Sequence, residues 1–305
     1  MHVDRAGTAR AAVGAVVALV LLVARAAAAD EPSLDDVAPD LVVPQAVAGE
    51  PAPGRRVFSV APGWEATAVR HTLTLPRDWR SGMRFPVLVE YPGNGPYRNE
   101  RGDVSDGTPE GCLLGHGLSG GEGAIWLCLP CVALGADGTR SVSLSWWGDV
   151  AETLSYCRAA IDDVCERFGG DRERLVLCGF SRGAIGCGYL GLHDDAIAPL
   201  WRAFFCHSHF DGVRLWPYPG AEASAARERL RRLVGRPVWI SHELDVEPTR
   251  QSLSDAGLLA AAPPGAFTLV PIPFANHSAA WVLRDIPERA RAREWLRGVI
   301  GPRGE

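Results

Sequence analysis

Residues 174–190 read RLVLCGFSRGAIGCGYL. An apolar run leads into a serine flanked by glycines, and a segment of small residues follows. Gly179-Phe180-Ser181-Arg182-Gly183 is a G-x-S-x-G pentapeptide. Five residues match by chance in many chains, so context decides. A strand, a strained turn and a helix are what expose such a serine as a nucleophile. RLVLC supplies the strand and AIGCGYL the helix. In so tight a turn the residues two before and two after the serine must lack bulk, and both are Gly.

A serine hydroxyl is a poor nucleophile at neutral pH and needs a base, itself oriented by a third group. On a strand-turn-helix elbow the acid and then the histidine follow the serine in the chain. Asp245 is the expected acid, because it appears where the apolar strand of RPVWISHELDV ends. Glu243 and Glu247 are neighbours able to serve, and Asp211, closing FFCHSHFDG, is a second candidate. His277, in FTLVPIPFANHSAAWV, is the expected base. The oxyanion donors are expected to be the backbone N–H groups of Arg182, next to the serine, and of Asn94 in EYPGNGPYRN.

The rest of the chain supports a sheet that can carry this elbow. ATAVRHTLTLP alternates and predicts an antiparallel strand. FPVLVEY, AIWLCLPCV, RLVLCGF, RAFFCHS, RPVWISH and FTLVPIPF are apolar strand candidates. DVAETLSYCRAAIDDVCERFGG has helical spacing of Val150, Leu154, Cys157, Ile161 and Val164, with glycines at its end as a stop signal. Apolar strands alternating with helices predict a mostly parallel sheet with helices on both faces. The polar, glycine-rich residues 98–123 are expected to form a lid or a substrate rim.

Residues 1–29 carry Arg5 and Arg10, a 14-residue apolar run and a small-residue end at Ala29, the pattern of a secretory signal. A membrane span needs about 20 residues. Residues 30–56, with five prolines, are expected to be a linker or loosely held arm, and 57–305 the catalytic domain. The expected location is secreted or periplasmic. Residues 1–29 hold three Arg and one Asp, so their removal takes the formal charge from −5 to −7. That argues against nucleic acid or an anionic membrane as the main partner.

Eight cysteines in an exported chain suggest disulfides, with Cys112, Cys128 and Cys131 the first candidates. Cys157 and Cys165 are separated by about 12 Å of helix and cannot bond each other. Cys128-x-x-Cys131 has no second half for a zinc site. His207, His209 and Asp211 alternate as a strand would, but without a third histidine they are read as pocket or supporting residues, not metal ligands. His207, His209, Trp146 and Trp147 are the candidate substrate-binding residues, and no cofactor is expected.

The chain resembles secreted members of the α/β-hydrolase superfamily of the esterase D, polyhydroxyalkanoate-depolymerase and feruloyl-esterase type. LTLPRDWRSGMRFPVLVEYPGNG is similar to that group's leading strands and oxyanion loop, GFSRGA to its elbow and SHELD to its acid loop. The departure is Pro92-Gly93, where the group usually has His-Gly. The resemblance implies the α/β-hydrolase fold and carboxylic-ester hydrolysis through an acyl-enzyme. A serine peptidase on the same fold and a non-catalytic binding protein are the alternatives.

Overall fold

The computed structural model describes residues 31–301, so the expected signal sequence lies outside the described residues. Eight strands form the central sheet: β1 (Arg56–Ser59), β2 (His71–Thr74), β3 (Phe85–Tyr91), β4 (Ile125–Cys128), β5 (Gly170–Phe180), β6 (Trp201–His207), β7 (Val238–Glu243) and β8 (Phe267–Ile272). Their order across the sheet is β1-β2-β4-β3-β5-β6-β7-β8. β2 runs antiparallel to both its neighbours, and every pairing from β4 to β8 is parallel.

Alternation along the strands divides the core in two. Leu175 and Leu177 of β5 face one apolar layer, while Val176, Cys178 and Phe180 face the other. Helices α1 (Leu114–Ser119) and α7 (Pro287–Ile300) cover the Val176 side. Helices α2 (Val150–Arg167), α3 (Arg182–Tyr189), α4 (Ala223–Leu230), α5 (Glu247–Asp255) and α6 (Leu258–Ala261) cover the Leu175 side. The mostly parallel sheet expected from the apolar runs is the sheet observed.

The strand order fixes where a site can form. From β3 the chain crosses to β4 on one side, and β5 returns on the other. Loops leaving β3 and β5 therefore part at their carboxyl ends and leave a crevice there. Pro92-Gly93-Asn94 and Ser181 lie at that edge.

Residues 31–55, expected as a linker or loose arm, lie along the domain. Leu34 is buried, Arg284 donates from Nε to the carbonyls of Leu34 and Val37, and Arg289 pairs with Asp40. The rim segment 98–123 also holds more structure than a loop. Tyr97–Arg98 and Val104–Ser105 pair as a small hairpin, and α1 is buried.

The disulfide expectation is corrected: all eight cysteines are free and buried. Cys128 and Cys131 serve opposite apolar layers, so their side chains diverge. Cys112 and Cys128 lie close together as reduced thiols, and burial pushes Cys112 far above the ordinary thiol range.

Candidate active site

Ser181 sits between β5 and α3 with φ 52° and ψ −115°, a left-handed backbone that a non-glycine residue adopts only at a cost of about 1–3 kcal/mol. Its N–H donates to the His207 carbonyl at 3.0 Å, which pins the bend to β6. The two flanking glycines are required by contact. A Cβ on Gly179 would lie 2.0 Å from the Gly183 carbonyl carbon, and one on Gly183 would lie 2.0 Å from the Tyr91 oxygen.

His277 follows β8 and brings Nε2 to 3.1 Å from Ser181 Oγ. Its Nδ1 lies 2.8 Å from Glu243 Oε1. A carboxylate can only accept, so Nδ1 carries the proton and the Nε2 lone pair faces the serine hydroxyl. Burial is the largest single influence on Glu243 and opposes its ionisation, but the His277 hydrogen bond together with the nearby His207, His277 and His242 rings outweighs it and holds the carboxyl well below its usual range.

The expected acid, Asp245, is corrected. β7 ends at Glu243, and Leu244 takes a left-handed φ of 56° that turns the chain outward. Asp245 is exposed and accepts the Glu247 N–H at 2.8 Å. Asp211 is also elsewhere, held by Arg229 at 2.8 and 3.0 Å. Ser208 was not foreseen. With φ 83°, it donates from Oγ to Glu243 Oε1 at 2.6 Å and lies 2.9 Å from His277 Nδ1.

Arg182 opens α3, so its N–H has no acceptor within the helix. Its buried guanidinium reaches four backbone carbonyls instead of a carboxylate: Pro92 at 3.3 Å, Gly107 at 3.1 Å, Ser143 at 3.1 Å and Trp146 at 2.8 Å. Those bonds tie three loops around the serine. Asn94 Oδ1 accepts the Trp146 N–H at 2.8 Å, which fixes the turn that presents the Asn94 backbone.

A cleft of about 340 Å³ opens over Ser181, walled by Asn94, Tyr97, Ser105, Phe180, His209, Trp216 and His277. A second cavity of about 590 Å³ shares Tyr97, Ser105 and Phe180 with it and extends past Val104 and Leu113. Of the four expected substrate-binding residues, only His209 lines the cleft. Burial lowers its pKa to about 3, so the ring is neutral at working pH. His207 is fully buried, with Nδ1 at Ser241 Oγ and Nε2 donating to the Ser278 carbonyl. Trp147 is in the core, stacked on Tyr189. Trp146 stands behind Trp216, ring centroids 5.6 Å apart. Trp216 is among the wall residues that were missed; its only sequence signal was an aromatic cluster, LWPY, in the loop after β6.

Among the described residues, one group has converging metal donors: Glu90, Cys112 and Cys128, within 4.8 Å of one another. Both Glu90 oxygens are already taken by the N–H groups of Leu113, Leu114, Gly115 and Trp126 Nε1. Arg56 lies 3.6 Å from Cys128 Sγ, adding positive charge. The group anchors the start of α1 and does not fit a cation.

No family model and no curated protein sequence matches the chain. Solved structures do. The feruloyl esterase module from Clostridium thermocellum aligns at TM-score 0.54 and 13% identity, over 88% of this chain and 99% of that one. A fungal esterase from Rhizomucor miehei aligns at 0.53 and 14%, over 91% and 88%.

The chain has the α/β-hydrolase fold. Esterase 2 of Thermogutta terrifontis shares it at TM-score 0.51 and 17% identity, over 81% of this chain and 93% of that one. The AtxE2 isopeptidase also shares it at 0.51 and 18%, but this chain spans only 40% of that protein's length. On this hydrolase fold the elbow and the histidine loop meet at the crevice between β3 and β5.

Proposed function

We propose that the protein is an exported serine carboxylic-ester hydrolase that works through an acyl-enzyme. The single observation that carries this reading is His277 bridging Ser181 at 3.1 Å and Glu243 at 2.8 Å. Export rests on the signal pattern of residues 1–29.

Ser181 Oγ attacks the ester carbonyl as its proton passes to His277 Nε2. Glu243 holds the imidazole in the tautomer that can take the proton and stabilises the imidazolium that forms. The N–H groups of Arg182 and Asn94 receive the charge that builds on the carbonyl oxygen. His277 then returns its proton to the leaving alcohol, and water, deprotonated by the same nitrogen, releases the acid.

The substrate is a small-molecule or polymer ester, seated against Tyr97, Trp216 and the neutral ring of His209. Neither nucleic acid nor, after signal removal, a membrane is a partner in this reading. A panel of p-nitrophenyl esters and matched anilides tests it. Ester turnover abolished by Ser181→Ala supports the reading; amide turnover exceeding ester turnover turns it toward a peptidase.

A further inference from the structure

The residues next to His277 lead away from the cleft to the other end of the chain. The His277 N–H donates to Asp103 Oδ2 at 2.9 Å. Asp103 Oδ1 accepts from Asn276 Nδ2 at 2.8 Å. Asn276 Oδ1 in turn accepts the Leu34 N–H at 2.8 Å and the Ser33 hydroxyl at 3.3 Å. The orientation of the amide is forced, because the Leu34 N–H can only donate and the Asp103 carboxylate can only accept. Beside this relay, the Ala275 N–H donates to the Pro32 carbonyl at 2.9 Å, and Arg101 of the rim hairpin pairs with Glu31 at 2.5 Å. Asn99 Nδ2 braces Asp103 at 2.8 Å.

Asn276 and Asp103 are 5% and 7% exposed, so water cannot replace a lost partner at little cost. Neither side chain lines the cleft over Ser181. What they hold is the backbone that leads into His277, tied to the rim hairpin through Asp103 and to the N-terminal segment through Asn276.

We propose that Asp103 and Asn276 are positioning residues and that residues 31–34 complete them, fixing the His277 backbone where its ring spans Glu243 and Ser181. The N-terminal segment is then a working part of the active site. This rests on the reading of Ser181 and His277 as nucleophile and base. A displacement of about 1 Å at a reacting group costs on the order of 100-fold in rate.

The test uses the full chain and four variants. Leu34→Pro deletes the donating N–H at the first position of a short helical turn, where proline fits. Leu34→Ala keeps that N–H and loses only the buried side chain. Asn276→Ala removes the amide, and the fourth variant combines Leu34→Pro with Asn276→Ala. The readouts are kcat and KM, the melting temperature, and the His277 ring proton resonance followed against pH.

The expected result is a fall in kcat of about 10- to 100-fold in Leu34→Pro and in Asn276→Ala, with KM within about 3-fold. The double variant is no worse than Asn276→Ala, because the two changes break one relay. Leu34→Ala keeps kcat within about 3-fold even where it melts lower. The His277 resonance moves in Leu34→Pro and Asn276→Ala and stays put in Leu34→Ala. Equal kcat in Leu34→Pro and Leu34→Ala, or an unmoved resonance in Asn276→Ala, overturns the proposal. The resonance responds whether or not the protein turns over esters. Failure of the catalytic reading therefore appears separately, as a parent chain without esterase activity.

Discussion

Glu243 Oε1 stands 2.8 Å from His277 Nδ1, at the opposite end of the imidazole from Ser181. The longer glutamate side chain spans from the last residue of β7 to the ring. Two residues on, Asp245 faces solvent. Glu243→Gln should therefore lower kcat by about 10³- to 10⁴-fold, because the amide no longer enforces the tautomer. Asp245→Asn should stay within about 3-fold. Parallel steady-state assays of the two variants check this, and a larger loss in Asp245→Asn than in Glu243→Gln would count against the assignment.

Ser208 carries a strained backbone, φ 83°, to bring its hydroxyl 2.6 Å from the same carboxylate oxygen. Ser208→Ala removes the donor and keeps the strain; Ser208→Gly removes both. Both variants should lose about 5- to 50-fold in kcat, and the glycine variant should be the more stable by about 1 kcal/mol. Melting curves measured beside kcat separate the two effects.

The Arg182 guanidinium holds Pro92, Gly107, Ser143 and Trp146 through their carbonyls. Lysine has one ammonium and no planar fork, so it cannot hold three loops at once. Arg182→Lys should lower kcat by on the order of 100-fold, close to the loss of one oxyanion donor. It should also slow covalent capture of a phosphonate ester. Unchanged phosphonate kinetics would disconnect Arg182 from the oxyanion loop.

Burial lowers His71 to about 3 and His207 to about 4, from an ordinary value of 6.5. Between pH 6.5 and about 4 the unfolded chain binds protons that these folded rings refuse, so stability falls as pH falls through that window. Glu243 adds a loss at lower pH. Its folded pKa is depressed, so its contribution is present above about 4.5, its unfolded value, and fades below it. Denaturant midpoints should drop steadily as pH falls from about 7 to about 4. His71→Gln should flatten the slope between pH 6.5 and 4, and an unchanged slope would contradict the assignment.

Much of the site was legible because its backbone is so constrained. The elbow needs Gly179 and Gly183 by contact, and apolar β5 and small-residue α3 on either side leave little other reading. The chain order of acid and then histidine after the serine placed His277. The acid was misread by two residues, because the outward turn at Leu244 is a left-handed φ at a leucine, which no residue-type signal announces. Helix α1 was hidden by its glycines. A Cβ on Gly115 would lie 2.1 Å from Trp126 Cδ1, and one on Gly117 would lie 2.2 Å from Val282 Cγ2. Those glycines serve close packing, yet in sequence they look like a loop. The docking of residues 31–34 was hidden by the proline-rich run 30–56 around them and by distance, since Leu34 and Asn276 are 242 residues apart. The tryptophan pair misled because Trp147 is a core residue and the Trp146 ring stands behind Trp216 instead of lining the cleft.

The central claim is that His277 activates the Ser181 hydroxyl, and intact-mass analysis after a fluorophosphonate label tests it most directly. The account predicts one phosphonyl adduct per chain, mapped to Ser181, formed at least about 100-fold more slowly in His277→Ala. An adduct elsewhere, or labelling of Ser181 at the same rate without His277, would contradict it.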